Sequence, residues 1–253
     1  MPAPALAESV SITFDDLPLN GELEPGMTRV RIVKDVLAIL KKQRVPQVYG
    51  FINAGKLEGS ADGAEALKLW VAGGQRVGNH TYSHQDLHKS APEEFLRDVR
   101  LNEPALELLD KDNAWRWLRY PYLREGDTLE KRRNVRAQLL ERGYQIAQVT
   151  LDYEDYLWNS AHARCVSRGD RNSITWLRSS YLTTASQYLD LDRQMAALVF
   201  NREISHVLLL HLGSFSADIL PSLLDLLKQK GFKLVTLEEA QSDAVYATDP
   251  DAA

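Results

Sequence analysis

Residues 76–88 read RVGNHTYSHQDLH and hold three of the chain's six histidines. Two of them, His80 and His84, stand four positions apart. Two imidazoles with one carboxylate suit catalytic zinc and leave coordination positions open for water and substrate. Asp15 and Asp16, adjacent in SITFDDLP, offer that carboxylate and a second one beside it. A metal held there would bring the pKa of its water toward neutrality. The second aspartate would then accept the water's proton. His211, which closes the run VLLLH, would donate a proton to a leaving amine. A buried carboxylate would orient that imidazole and raise its pKa.

Each piece taken alone has a plainer reading. The histidine pair is then a solvated polar loop, and Asp15-Asp16 a turn or helix cap ahead of Leu17-Pro18. Arg119 alone is a surface ion pair, and His211 a satisfied core histidine. A glycosidase built on the two aspartates conflicts with their adjacency, because its acid and base must flank a sugar bond several ångströms apart. Cys165 in HARCVSRGD has neither an oriented base nor an oxyanion site, so a thiol nucleophile is not indicated. The tripeptide at 168–170 reads as a turn, and His88 and His206 read as structural. Tyr82, Tyr120, Tyr153 and Trp158 are aromatic enough to stack on sugar rings, though packing is the commoner use of such side chains.

The elements that must position these groups alternate along the chain. Apolar runs predict strands at 10–14, 48–52, 115–118, 144–149, 207–210 and 232–235. Helical spacing covers 30–40, 64–71, 92–109, 128–141 and 219–230, with Gly73-Gly74, Gly143 and Gly231 as stop signals. Ser90 reads as the N-cap of the third helix, with Glu93 three positions on. Residues 75–77 lead into the histidine loop. Such β–α alternation predicts an α/β fold with a largely parallel sheet. In such folds ligands bind where strands end at their carboxyl side. Asp15-Asp16, Arg119-Tyr120-Pro121-Tyr122, Asp152 with Asp155, and His211 each follow an apolar run in that way. The stretch 156–203 breaks the rhythm; it is polar, mostly helical from Ser173 onward, and reads as an insertion between two strands.

Composition narrows the classes. A net charge of −5 over 253 residues gives no overall basic footprint for nucleic acid. No apolar run is long enough to span a bilayer. A single cysteine leaves no internal disulfide, so the fold must rest on its core. Ala5-Leu6-Ala7 is a small-x-small pattern like a signal-peptide cleavage site, which points to a secreted or periplasmic protein with the signal trimmed; a plain tail is the other reading.

From about residue 10 to 240 the chain resembles the carbohydrate esterase family 4 polysaccharide deacetylases, also called the NodB homology domain. Five motifs stand in the family's order: TFDD, the HTYSH of His80–His84, RYPY, DYEDY and LLLH. The resemblance implies a distorted (β/α) barrel of about seven parallel strands, with the helical insertion at about 157–205 ahead of the last strands. It implies a domain over 10–241, with tails at 1–9 and 242–253. It assigns Asp15 as general base and Asp16, His80 and His84 as ligands of one divalent ion, zinc first, with cobalt, nickel or manganese also fitting the donor set. Arg119 would pair with Asp15, the backbone N–H of Tyr122 would stabilise the oxyanion, and Asp155 would orient His211, the general acid. Leu209 would wall an acetyl-methyl pocket, with Tyr122, Tyr156, Trp158 and Tyr82 as further substrate contacts. The fourth motif departs from the family, having Tyr156 where tryptophan is usual, with Trp158 two residues later. The implied activity is metal-dependent removal of acetyl groups from an N-acetylated amino-sugar polymer or oligomer. An acetyl-xylan esterase and a non-catalytic carbohydrate-binding module are the alternatives, and the oligomeric state is open.

Overall fold

The computed structural model describes residues 8–247. Seven parallel strands form a single sheet in the order β5-β4-β3-β2-β1-β6, with β7 added to β1. β1 (Ser9–Leu17) is its centre and is buried almost throughout. It pairs with β2 (Tyr49–Ile52), β6 (His206–His211) and, over residues 9–11, β7 (Lys233–Val235). β3 (Arg76–Asn79), β4 (Trp117–Leu118) and β5 (Gln145–Ile146) continue the other edge. Beyond β5 the chain crosses to the far edge, where Leu151 forms a parallel bridge with Leu208 of β6. With that bridge the sheet curls into a half-barrel, as expected of a distorted (β/α) barrel.

Strand periodicity sorts the side chains into two layers. Val10, Ile12 and Phe14 of β1 and Leu208 and Leu210 of β6 join the large core beneath the helices. A smaller cluster gathers residues of the opposite parity, Tyr49 and Phe51 of β2, Trp117 of β4 and Val207 of β6. These fill the barrel, and Leu237 and Ala240 of α8 (Leu237–Gln241) join them. By the same parity Asp15, Arg119, Leu209 and His211 belong to the interior face, above this apolar floor.

The helices cover the outside. α1 (Arg29–Lys42) begins where the Thr28 hydroxyl accepts from the Arg31 N–H and buries Ile32, Val33, Val36 and Leu40 along one stripe. Each such buried aliphatic side chain contributes about 1.5–3 kcal/mol over exposure. α2 (Gly63–Ala72), α3 (Pro92–Leu109) and α4 (Leu129–Glu141) follow β2, β3 and β4. α5 (Tyr156–Ser167) and α6 (Arg171–Phe200) form the insertion, and α7 (Ser214–Gln229) joins β6 to β7.

Several expectations are corrected. The N-cap of α3 is Ala91, whose N–H donates to Glu94 Oε2 at 3.2 Å; the Ser90 hydroxyl instead donates to the Asp86 carbonyl at 3.0 Å. β3 is a strand where only a lead into the loop was expected, and β5 has two residues, not six. The insertion is helical from Tyr156, not Ser173, because the buried stripe of α5 is Asn159, His162 and Ala163, a polar face that apolar periodicity does not reveal. The expected C-terminal tail is folded as far as it is described. Asp243 pairs with Arg202, and the Tyr246 hydroxyl donates to the Ser205 carbonyl at 2.7 Å. The Ala5-Leu6-Ala7 pattern lies outside the described residues.

Candidate active site

Asp15 and Asp16 are neighbours in a strand, so regular pleating would send them to opposite faces. Phe14 and Leu17, three residues apart, both lie in the outer core. The register with β2 shifts between these two residues, and Asp16 has φ of 70°. A bulge of this kind inserts an extra residue and re-aims its neighbours. Both carboxylates therefore reach one pocket.

Asp16 meets His80 and His84 there, with ligand-capable atoms all within 4.8 Å of one another. His80 follows the end of β3 and is fully buried. Its Nδ1 lies 2.8 Å from the Arg119 carbonyl. A carbonyl can only accept, so Nδ1 carries the proton and Nε2 keeps its lone pair free for a cation. Burial pushes the imidazolium forms down, to about 3 for His80 and about 4 for His84, so both rings are neutral and ready to ligate. Burial alone would raise the Asp16 carboxyl, but Lys56, 2.7 Å away, and the two histidines hold it well below the usual range. One carboxylate and two neutral imidazoles thus fit a divalent cation.

Asp15 lies beside this set, with Oδ2 3.6 Å from His80 Nε2. Burial pushes its carboxyl above the ordinary value, opposed by Arg119. The Arg119 guanidinium is 1% exposed, yet every face is engaged. Nη1 donates to Asp15 at 3.1 Å, Nη2 to the Thr13 hydroxyl at 3.1 Å and Nε to the Ala147 carbonyl at 2.8 Å, while the plane lies over the Phe51 ring at 4.6 Å. A buried charge survives only with such full pairing.

His211 ends β6. Its Nδ1 and its backbone N–H face the two oxygens of Asp155, at 2.7 and 2.8 Å. Burial opposes its imidazolium, but the Asp155 carboxylate, aided by Asp15 and Asp16, outweighs this and raises its pKa to about 9. Tyr122 sits in a 3-10 turn (Pro121–Leu123) with φ of 59°; the residue is 59% exposed and its ring lies edge-on to His84 at 4.5 Å.

Asp15, Asp16, His80, His84, Tyr122 and His211 line a pocket of about 360 Å³, together with Leu209, Tyr156, Asn20, Arg124, Asp152 and Glu154, while Arg119 and Asp155 stand behind its wall. Among the described residues nine non-glycine residues have positive φ, and six of them, Asp16, Thr81, His84, Tyr122, Leu123 and Glu154, are in or beside this site. Strained backbone of this kind collects at functional loops.

Two expected contacts fall elsewhere. The Trp158 indole donates to the Ser180 hydroxyl at 3.0 Å and packs on Tyr181, away from the pocket. The Tyr82 hydroxyl donates to Glu58, and its ring packs beside Gly55. Tyr120 and Tyr153 are core residues. Lys56, Asn20, Arg124 and Glu154 escaped the sequence reading. Glu154 lies inside DYEDY, Arg124 two residues past RYPY and Asn20 four past Asp16, whereas Lys56 has no motif near it.

The family model described as polysaccharide deacetylase matches residues 3–147. The chain belongs to the polysaccharide deacetylase family. With it comes assignment to the hydrolases, as the five motifs implied. A chitin deacetylase of Colletotrichum lindemuthianum is 25% identical over 237 residues, covering 93% of this chain and 80% of that protein. A chitooligosaccharide deacetylase of Sinorhizobium fredii is 31% identical over 116 residues, 46% of this chain and 47% of that protein. The chain therefore spans less than half of that relative's length. The solved structure of the Colletotrichum enzyme superposes with a TM-score of 0.64 at 23% identity, over 100% of this chain and 94% of that one. A family pseudoenzyme of Bacillus anthracis superposes at 0.62 with 15% identity, over 92% and 65%. The fold is thus shared with a protein described as a pseudoenzyme, so the chemistry must be argued from the site.

Proposed function

We propose that this chain is an N-deacetylase of an amino-sugar polymer or oligomer of the chitin or peptidoglycan kind. The observation that carries the reading is that Asp15 and His211 line one pocket with Asp16, His80 and His84, whose ligand-capable atoms cluster there; this supports Asp15 as proton acceptor and His211 as proton donor. Those three residues would hold one divalent ion, zinc by the balance of two imidazoles and a carboxylate. When bound, it supplies a water of lowered pKa and polarises the acyl carbonyl.

The protein's own groups do the rest. Asp15, locked by Arg119, takes the proton of the attacking water. The backbone N–H of Tyr122 donates to the carbonyl oxygen as charge develops there, an interaction of a type that contributes about 10²–10³ in rate. Leu209 and Tyr156 wall the space beside His211 that fits an acetyl methyl. The His211 imidazolium, stabilised by Asp155, gives its proton to the amine nitrogen as the C–N bond breaks, leaving acetate and a free amine. The exposed Tyr122 ring offers a face for a sugar.

A polymer of this kind is met outside the cytoplasm, which supports the secreted or periplasmic expectation. Among the described residues no helix is long and apolar enough to cross a membrane. The test is acetate release, followed by mass spectrometry, from chitin oligomers, peptidoglycan fragments and acetylated xylan, with metal-stripped protein as control. The expected result is metal-dependent release from an N-acetylated substrate. Release from acetylated xylan alone would replace this reading with the esterase, and release from none would leave a binding module.

A further inference from the structure

The helical insertion reaches the metal-ligand set through a chain of amides. Asp16 Oδ1, the oxygen facing His84 at 3.7 Å, is met by Lys56. Oδ2 accepts from Asn20 Nδ2 at 2.8 Å. Asn20 Oδ1 in turn accepts from Asn159 Nδ2 of α5 at 3.0 Å. Asn159 Oδ1 lies 3.3 Å from the Ser216 hydroxyl oxygen, whose single proton goes to the nearer His211 carbonyl at 2.5 Å.

The polarity of this chain is dictated from one end. A carboxylate only accepts, so Asn20 must turn its NH₂ toward Asp16 and its oxygen away. That oxygen then requires the NH₂ of Asn159. Each amide is polarised by the next, and the charge on Asp16 aligns them all.

The seat of Asn159 is built for it. The residue is 2% exposed. A Cβ at Gly213 would come within 2.4 Å of the Asn159 amide, so only glycine lets the amide lie against that backbone. Gly21, at φ of 78°, would meet Asn159 Cβ at 3.2 Å and Ser160 at 3.1 Å. The loop after β1 and the turn after β6 thus both close on α5 at this side chain.

We propose that Asn159 is a positioning residue for Asp16, acting through Asn20 to fix the rotation of the carboxylate that faces His84. The inference rests on the reading of Asp16, His80 and His84 as metal ligands. The insertion is then part of the site's scaffold, and it ties the metal flank to the strand that carries His211.

The experiment is zinc binding by calorimetry on the full chain, with thermal melting as the measure of folding. Partners of this kind typically contribute 10–100-fold to metal affinity. Asn20→Ala is expected to weaken zinc binding by about that range, and Asn159→Ala by about tenfold. The Asn159→Asp variant keeps the shape but puts an acceptor against Asn20 Oδ1, and it weakens binding in the same direction. It carries the test if Asn159→Ala does not fold. In an Asn20→Ala background, Asn159→Ala is expected to change the zinc Kd no further, as a serial pathway requires. Cys165→Ser on the same helix leaves the Kd unchanged.

A zinc Kd within twofold of the parent in Asn20→Ala, or in both Asn159 variants, overturns the proposal. So does an Asn159 effect that persists undiminished without Asn20. Retention of zinc by Asp16→Ala removes the underlying metal reading, and the proposal with it, which separates the two failures.

Discussion

His80 and His211 stand in one pocket and are held in opposite protonation states. Both are largely buried, and both have Nδ1 bonded to an oxygen. For His80 the oxygen is the Arg119 carbonyl, a dipole, and desolvation wins, with a pKa of about 3. For His211 it is the Asp155 carboxylate, a full charge, and the pair wins, with a pKa of about 9. The lone pair on one ring and the proton on the other follow from the partner behind the ring. Asp16 and Asp15 repeat the contrast. Asp16 faces Lys56 and is held down, whereas Asp15 is deep enough for burial to outweigh Arg119.

The most severe way to break this division is Asp15→Asn. It keeps the shape and removes the proton acceptor, and kcat/KM for acetate release is expected to fall about 10²–10⁴-fold with zinc content unchanged. Full activity in this variant would reject Asp15 as the base. His80→Gln removes a neutral ligand, and the zinc Kd is expected to rise at least about 10-fold, while elemental analysis showing a full complement would exclude it from the ligand set.

Asp155→Asn sharpens the comparison by making the partner of His211 resemble that of His80. The carboxylate favours the imidazolium, so its loss lowers the pKa of His211 and the donor is deprotonated at lower pH. The alkaline limb of kcat/KM is expected to move acidward by about one unit or more. An unmoved limb would mean that another group sets it. Trp158→Phe touches neither flank, and KM is expected to stay within about twofold; a larger rise would return the indole to the substrate path.

What the sequence made legible was chemistry carried by short range. HTYSH, TFDD and LLLH sit at strand ends, and strand parity alone puts His211 on the same face as Leu209. The bulge that turns Asp16 inward was not legible, because it appears only as a register shift between β1 and β2. Lys56 was missed because it approaches Asp16 from 40 positions away with no motif around it. Trp158 was misplaced because a helix begins at Tyr156, and the turn of that helix sends the indole to Tyr181 while Tyr156 keeps the pocket and meets the His211 ring at 5.2 Å. The apolar signal that would have announced that helix was absent, since its inner face is Asn159 and His162.

The seam at Leu151 bears on how the molecule can yield. The Thr150 and Leu151 amides both donate to the Val207 carbonyl, and the Leu209 amide returns a bond to Leu151. The strip carrying Asp155 is therefore stitched to the strand carrying His211, whereas its other side is held to the wall by the two-residue β5. If the sheet breathes, the tear runs beside β5, and His211 and Asp155 travel together as a single leaf. In hydrogen–deuterium exchange the Leu209 amide would outlast that of Gln145, so the His211–Asp155 pair stays intact even while the wall beside it opens.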